Sequence, residues 1–327
     1  MTLGILAFLT AALGSAAALA ASIGPLRRAG VVGRDLHKPG QPEIVEMGGI
    51  GLAAGFTAAL LFSLALIRFA NWGRGLDVPL LLAVLATVLI ATLIGIIDDL
   101  LSLGQSTKAL LPVLAALPLA VMRAGVTRMV IPAYGPIDVG LLYPLVLLPI
   151  GVSVAANASN ILAGYNGLEI GLGIAQMGSL AVLAGLLGES TALLILLAGL
   201  GALLAALRSN WIPARVFMGD AGTLSIGAIV AAAVIVGNFE VAGVIVYLPH
   251  AVDFALKARH RFPTTGWSGH LDEDGRLHCP GSSPASLPQL LMKLSGGLRE
   301  RTLVLILIGT EALLGVGAVL LYALKGA

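Results

Sequence analysis

Ten long apolar runs alternate with short polar segments along the chain. A helix needs roughly 20 apolar residues to cross the hydrocarbon core of a membrane, so these runs predict ten transmembrane helices. Their approximate bounds are 3–24, 48–67, 79–97, 109–122, 140–156, 168–187, 191–207, 221–237, 240–256 and 302–324. The predicted fold is an all-α polytopic membrane protein. Pro144 and Pro149 predict a kink in the fifth span.

The polar segments between the runs are short, with one exception. Segment 257–301 contains Asp274-Gly275, a pair typical of a β-hairpin turn, and the spaced apolar residues of 286–298 predict a short interfacial helix. Segment 123–138 is expected to be extended. Since no part of the chain shifts in composition, we expect a single transmembrane domain over residues 1–327.

Composition and charge support this interpretation. The chain is 58% hydrophobic and 11% charged, whereas soluble domains contain about 25% charged residues. With both termini outside, the internal loops hold fourteen of the nineteen Lys and Arg, which predicts this orientation. The single cysteine, Cys279, excludes an intrachain disulfide and a cysteine-based metal site. A net charge of +2 gives no indication of nucleic-acid binding.

Four polar segments lie at the ends of apolar runs, and the predicted orientation places all of them on the cytoplasmic side. They are Asp98-Asp99, 157–169, 217–220 and 253–261. Amide and carboxylate groups are costly where water cannot reach them. The four segments therefore predict one shared cavity at the membrane face.

Asp98 and Asp99 are adjacent carboxylates that repel each other and oppose the helix dipole at the end of the third span. Such a pair is best tolerated beside a cation or a metal ion. Lys108 follows at the start of the fourth span and is a candidate phosphate ligand. The alternatives are a solvated helix end for the carboxylates and a positive-inside anchor for the lysine.

Asn157, Asn160, Asn166 and Glu169 lie between the fifth and sixth spans. Amide oxygens are suitable magnesium ligands, and amides pair well with a uracil-type edge. The alternative is a cluster of hydrogen bonds between helices. Asp220, near Arg215, is either a ligand or a plain helix cap.

Two basic segments complete the candidate site. Arg259 and Arg261 flank His260, and two arginines in this arrangement can clamp a pyrophosphate. The alternative is a juxtamembrane cluster that binds anionic lipid. His37-Lys38 is a similarly basic loop, followed by the Gly48-Gly49 hinge.

These segments, in this order, resemble the polyprenyl-phosphate sugar-1-phosphate transferase superfamily. The matching residues are His37–Pro39, Gly95–Asp99, Lys108, Asn157–Glu169, Arg215–Gly222 and Arg259–Pro263. Bacterial members usually carry Asp-Gly-x-Asp-Gly where this chain has Ala163-Gly164-Tyr165-Asn166-Gly167. The form with asparagine is similar to the dolichyl-phosphate N-acetylglucosamine-1-phosphate transferases of eukaryotes and archaea.

The resemblance implies a reaction in which N-acetylglucosamine-1-phosphate passes from UDP-N-acetylglucosamine to a polyprenyl or dolichyl phosphate, releasing UMP. It implies Mg²⁺, or Mn²⁺ in its place, held by Asn160 and Asp220. It assigns catalysis to Asp98, Asp99 and Lys108. Substrate binding falls to His37, Lys38, Asn157, Asn166, Glu169, Arg215, Arg259, His260 and Arg261, so that loop 257–301 contributes to the donor site.

The implied setting is the lipid bilayer, with the active site on the cytoplasmic side of the cell membrane in a prokaryote or of the endoplasmic reticulum in a eukaryote. The resemblance also admits a homodimer. Another UDP-sugar is the main alternative within the family. A secondary transporter would need acids near mid-span and paired broken helices, and a lipid-binding scaffold would not explain the Asp98-Asp99 pair. Direct attack by the lipid phosphate and attack through an aspartate both stay open.

Overall fold

The computed structural model describes residues 2–325 except 74, 132–134 and 263–267. Helices follow the predicted apolar runs closely. They are α1 (Thr2–Arg28), α2 (Gly49–Ala70), α3 (Val78–Leu101), α4 (Gln105–Leu110), α5 (Pro112–Ala115), α6 (Leu117–Val121), α7 (Leu148–Ile161), α8 (Leu168–Leu187), α9 (Ser190–Asn210), α10 (Gly219–Gly237), α11 (Glu240–Val246), α12 (Leu248–Arg259), α13 (Leu287–Ser295) and α14 (Glu300–Lys325).

Within the described part of the chain, eight helices are long and apolar enough to cross a membrane, and the bent pair α11–α12 makes a ninth. The all-α polytopic class is therefore confirmed. The fourth predicted span is a chain of three short helices, α4 to α6, instead of one continuous helix. Pro112 and Pro118 lie at the starts of α5 and α6. Each lacks the N–H that a continuous helix would use, which explains the interruptions.

Two further irregularities shape the bundle. Residues Tyr143–Leu147 form a π-helical turn before α7, and this turn contains Pro144, the first of the two prolines that predict a kink in this span. The helices α11 and α12 meet at an angle of 56°. At this bend, the side chain of Gln176 donates to the Val246 carbonyl at 3.2 Å, and the Tyr247 hydroxyl lies 3.0 Å from Ser159 Oγ. The bend is thus tied to α8 and α7.

Helix α10 is the central helix, and every residue from Ala221 to Gly237 is buried. It packs against α3, where Gly95 lets the two backbones touch, because a Cβ at Gly95 would lie 2.4 Å from the Ala221 backbone. Further along the same contact, the hydroxyls of Thr92 and Ser225 are 2.7 Å apart. This packing brings the end of α3 to the beginning of α10.

Among the residues that the structure describes, three small antiparallel hairpins lie outside the helices. They are β1–β2 (Val32–Arg34, Glu43–Val45), β3–β4 (Arg128–Ile131, Gly135–Asp138) and β5–β6 (His270–Leu271, Leu277–His278). The hairpin β5–β6 confirms the turn predicted at Asp274-Gly275. Strands β3 and β4 confirm the extended segment, and α13 confirms the short helix. Leu277 and Met292 pack in one apolar cluster with Tyr165 and Leu168, so the long polar segment docks on the loop that precedes α8.

The orientation can be tested through Cys279, the single cysteine, which is half-buried in the long polar segment. If this segment is cytoplasmic, a membrane-impermeant maleimide labels Cys279 in inside-out vesicles and leaves it unlabelled in right-side-out vesicles. The matched control is Ser190→Cys in a Cys279→Ala background, because Ser190 begins α9 at the end opposite to the site. This variant should show the reverse pattern. Labelling of Cys279 only from outside would overturn the orientation.

Candidate active site

The ends of α3, α7, α10 and α12 surround a cavity of about 1220 Å³. All four polar segments reach it, as the sequence predicts. Seven of the predicted site residues line it: His37, Asp99, Lys108, Asn157, Asn160, Glu169 and Asp220. Other parts of the wall are apolar, with Leu36, Val154 and Phe254 among the lining residues.

Lys108 lines this cavity between two carboxylates. Its ammonium group is 2.8 Å from Asp98 Oδ2 and 3.3 Å from Asp220 Oδ2. The other oxygen of Asp98 accepts the backbone N–H of Leu103 at 2.9 Å. Both oxygens of Asp98 are therefore engaged, and its side chain is 3% exposed. The lysine holds the two acids in place and keeps a fixed positive charge at the cavity.

Asp99 has a different role from its neighbour, because it caps α10. Its two oxygens accept the backbone N–H groups of Asp220 and Ala221 at 2.7 and 3.1 Å. A carboxylate at a helix N-terminus satisfies unbonded N–H groups and is favoured by the helix dipole. Gly219 permits this contact, since its φ is +66° and a Cβ there would lie 2.5 Å from an Asp99 oxygen. The cap fixes where Asp220 enters the cavity.

The two asparagines near the end of α7 are used differently. The amide of Asn157 donates to the carbonyls of Ala109 and Ser153 at 3.2 and 2.9 Å, which ties α7 to α4 beside Lys108. Asn160 lines the cavity, and its amide has no hydrogen-bond partner among the residues that the structure describes. Asn160 and Asp220 both line this cavity, and each has a side-chain oxygen. An all-oxygen donor set of this kind fits a magnesium ion.

Asn166 lies in a buried polar cluster beside the cavity and is 2% exposed. Its amide donates to Asp35 Oδ2 at 2.8 Å, and its backbone N–H donates to Glu300 Oε1 at 2.9 Å. Ligand atoms of Asp35, His37 and Glu300 lie within 4.8 Å of one another, a spacing that a metal ion could use. The ammonium of Lys38 forms an ion pair with Glu300 and lies 3.8 Å from Asp35, so it supplies the positive charge of this cluster.

His37 contributes no second positive charge to the basic loop. Its ring stacks on Tyr165 with a centroid distance of 4.4 Å and an interplanar angle of 8°. Burial lowers the pKa of His37 to about 4, because the charged ring would lose its hydration, and nearby Asp35 only partly opposes the effect. At neutral pH the imidazole is neutral and acts as part of the cavity wall.

Several predicted substrate ligands are not among the cavity-lining residues. Arg215 is exposed, as are Arg259 and Arg261, while His260 lies 3.2 Å from Ser283 Oγ. Lys257 and Phe262, on either side of this basic triplet, do line the cavity. The substrate contacts of the three arginines and His260 stay predictions. Pro263, the last residue of the matching motif, lies outside the described residues.

The structure adds acids that sequence reasoning missed. Asp35 and Glu46 line the cavity, and Glu300 binds the loop of Asn166. The pKa of Glu46 is raised by burial and then by the nearby Asp99 carboxylate. The signals for them were weak: Asp35 lies two residues before His37, Glu46 precedes the glycine hinge, and Glu300 opens the last span. Acids at such places are common without any function.

Comparison with known proteins agrees with the motifs. The model of "Glycosyl transferase family 4" matches residues 81–238. A protein of Saccharolobus solfataricus, provisionally named UDP-N-acetylglucosamine–dolichyl-phosphate N-acetylglucosaminephosphotransferase, is 38% identical over 89% of this chain and 88% of its own. The protein of that name from Dictyostelium discoideum is 26% identical over 84% of this chain and 78% of its own.

A bacterial relative also matches part of the chain. The phospho-N-acetylmuramoyl-pentapeptide-transferase of Shouchella clausii is 34% identical over 64% of this chain and 65% of its own. Members of the family generally depend on a divalent metal. The chain belongs to glycosyl transferase family 4, the polyprenyl-phosphate sugar-1-phosphate transferases that its motifs resemble.

Proposed function

We propose that this chain transfers N-acetylglucosamine-1-phosphate from UDP-N-acetylglucosamine to a polyprenyl phosphate of the dolichyl type and releases UMP. The names of the Saccharolobus and Dictyostelium relatives describe this reaction. The observation that carries the proposal is the convergence of Lys108, Asn160 and Asp220 on one cavity in a membrane protein. We place that cavity on the cytoplasmic side of the membrane, and a homodimer stays a prediction of the sequence.

The cavity suits an acceptor with a charged head and an apolar tail. Its wall includes Lys108, whose ammonium is held by two carboxylates. Elsewhere its wall includes Leu36, Val154 and Phe254. An isoprenoid chain can stay against apolar surface while its phosphate reaches the lysine, since a Lys ammonium is a good ligand for phosphate oxygens.

The metal is proposed to be Mg²⁺, with Asn160 and Asp220 as its protein ligands. Both residues line the cavity and have side-chain oxygens, and hard cations of this size prefer oxygen ligands. When bound, Mg²⁺ neutralises charge on the pyrophosphate and stabilises the leaving phosphate. Asp99 acts through Asp220, because its carboxylate holds the backbone of that residue in place.

For the transfer itself we propose direct attack. An oxygen of the lipid phosphate forms a bond to the β-phosphorus of the donor, the bond from that phosphorus to the bridging oxygen breaks, and the α-phosphate leaves as part of UMP. Direct attack is favoured over an aspartyl intermediate because both oxygens of Asp98 are engaged, by Lys108 and by the Leu103 N–H. The donor is proposed to be held by Asn166 at the uracil and by Arg259, His260 and Arg261 at the pyrophosphate and sugar.

Replacing the proposed metal ligands should abolish transfer. Asp220→Ala and Asn160→Ala each remove one oxygen from a hard cation that needs several. The measurement is transfer of radiolabelled N-acetylglucosamine to polyprenyl phosphate in detergent, across a Mg²⁺ titration. Asn157→Ala is the matched control, because its amide bonds to backbone one turn earlier in α7 and its Mg²⁺ dependence should stay that of the wild type. Wild-type Mg²⁺ dependence in Asp220→Ala or Asn160→Ala would remove that residue from the metal site.

Replacement of Asp99 should destabilise the fold more than replacement of Asp98. In Asp99→Asn the new NH₂ group faces a backbone N–H of α10, so we expect a loss of about 1 kcal/mol of folding free energy together with activity. In Asp98→Asn the remaining oxygen still accepts from Leu103, and the new NH₂ group faces the ammonium of Lys108, which is 36% exposed and can shift towards Asp220 or water. That variant should lose activity with a smaller change in thermal unfolding, measured in detergent. Equal destabilisation of both variants would contradict the capping role of Asp99.

The donor should be recognised by its acetamido group. A site built to hydrogen-bond an N-acetyl group leaves buried polar groups unpaired when the group is missing, so UDP-N-acetylglucosamine should outperform UDP-glucose by a factor of about 100 or more in kcat/KM. Arg261→Ala should raise KM for the donor more than KM for the acceptor. Equal use of the two sugars would contradict the sugar assignment and leave the phosphotransfer chemistry standing.

A further inference from the structure

The side chain of Asn166 is held by a buried acid that the proposed reaction does not use. Its Nδ2 donates to Asp35 Oδ2 at 2.8 Å, across 131 positions of sequence. Asn166 and Asp35 are 2% and 3% exposed, so the contact is shielded from water. Because a carboxylate oxygen accepts hydrogen bonds, the NH₂ end of the amide faces Asp35 and the oxygen end is turned away from it.

The surroundings of Asp35 oppose any reversal of this amide. Its other oxygen accepts the backbone N–H of His37 at 3.1 Å, and the ammonium of Lys38 lies 3.8 Å from the oxygen that faces Asn166. The backbone N–H of Asn166 is held separately by Glu300. Turning the amide over would place two oxygens against each other in a buried position and lose a hydrogen bond, which is costly where water cannot compensate.

The oxygen end of the amide is left to act as an acceptor. In the described part of the chain, no donor bonds to Asn166 Oδ1. The residues beside it line the cavity: Gly164 and Tyr165 on its own loop, and Asp35 and Leu36 on the loop before β2. Asn166 Oδ1 is therefore a hydrogen-bond acceptor of fixed orientation next to the cavity wall.

We propose that Asp35 is a positioning residue that fixes the amide of Asn166 and thereby selects uracil over cytosine in the donor. The inference rests on the proposed function, in which Asn166 binds the base. The N3–H group of uracil can donate a hydrogen bond to this fixed acceptor. Cytosine presents a lone pair at the same position, and two acceptors repel each other.

The test measures the binding of UMP and CMP to the full chain in detergent with Mg²⁺, by isothermal titration calorimetry. The wild type should bind UMP at least about tenfold more tightly than CMP, an effect typical of one buried hydrogen bond. Asp35→Asn keeps the shape of the side chain, but its amide can accept or donate, so Asn166 is free to turn. We expect the preference of this variant to fall to within about threefold, mainly through weaker UMP binding.

Glu300→Gln is the matched control. It removes a carboxylate from the same cluster, but one that holds the backbone of Asn166 and not its amide. UMP and CMP should weaken together, so the preference for UMP should persist. If Asp35 had only a structural role, UMP and CMP binding would weaken together in Asp35→Asn as well. An unchanged preference in Asp35→Asn would therefore overturn the proposal.

A second measurement needs no variant and covers the case in which Asp35→Asn does not fold. N3-methyl-UMP lacks the N3–H group that should donate a hydrogen bond to Asn166 Oδ1. It should therefore bind the wild type at least about tenfold more weakly than UMP. Equal binding would overturn the inference. Because these are binding measurements, a protein that prefers UMP but transfers no sugar phosphate contradicts the proposed function alone. A protein that transfers sugar phosphate but binds UMP and CMP equally contradicts this inference alone.

Discussion

The site depends on the two hydrogen bonds from the start of α10 to the carboxylate of Asp99. They satisfy backbone N–H groups that would otherwise be unbonded at a helix end beside the apolar core of a membrane. Gly95 and Gly219 allow the close approach that these bonds require. Because Asp98 directly precedes Asp99 and one of the bonded N–H groups belongs to Asp220, the same contact sets how Asp98 and Asp220 meet around Lys108.

The second constraint is charge. A membrane protein that gathers carboxylates at one cavity must compensate them, since buried charges are costly unless they are paired. Three lysines do so here. The pairs are Lys38 with Glu300, Lys108 with Asp98 and Lys257 with Asp253. Each lysine is thereby fixed in position before a substrate arrives, and fixed positive charges are what a reaction on phosphate groups needs.

The sequence predicts the helices well because hydrocarbon forces each apolar run to bond its own backbone. Prolines mark the exceptions, at Pro112 within the fourth run and at the π-helical turn before α7. The polar character of Lys108 and Asp220 at the ends of apolar runs also predicts that they belong to one site. Their contact spans 112 positions, and the Asp35–Asn166 contact spans 131. No local pattern encodes such pairs, since they follow from how distant helices and loops pack.

The proposed reaction at this cavity transfers a sugar phosphate and not a sugar alone. The most direct measurement follows the nucleotide product and the lipid product together, by chromatography and mass spectrometry, after purified protein has been incubated with UDP-N-acetylglucosamine, polyprenyl phosphate and Mg²⁺. We expect one UMP for each lipid, and a lipid that carries N-acetylglucosamine through a pyrophosphate. Release of UDP, with a lipid that carries the sugar through a single phosphate, would contradict the proposed reaction.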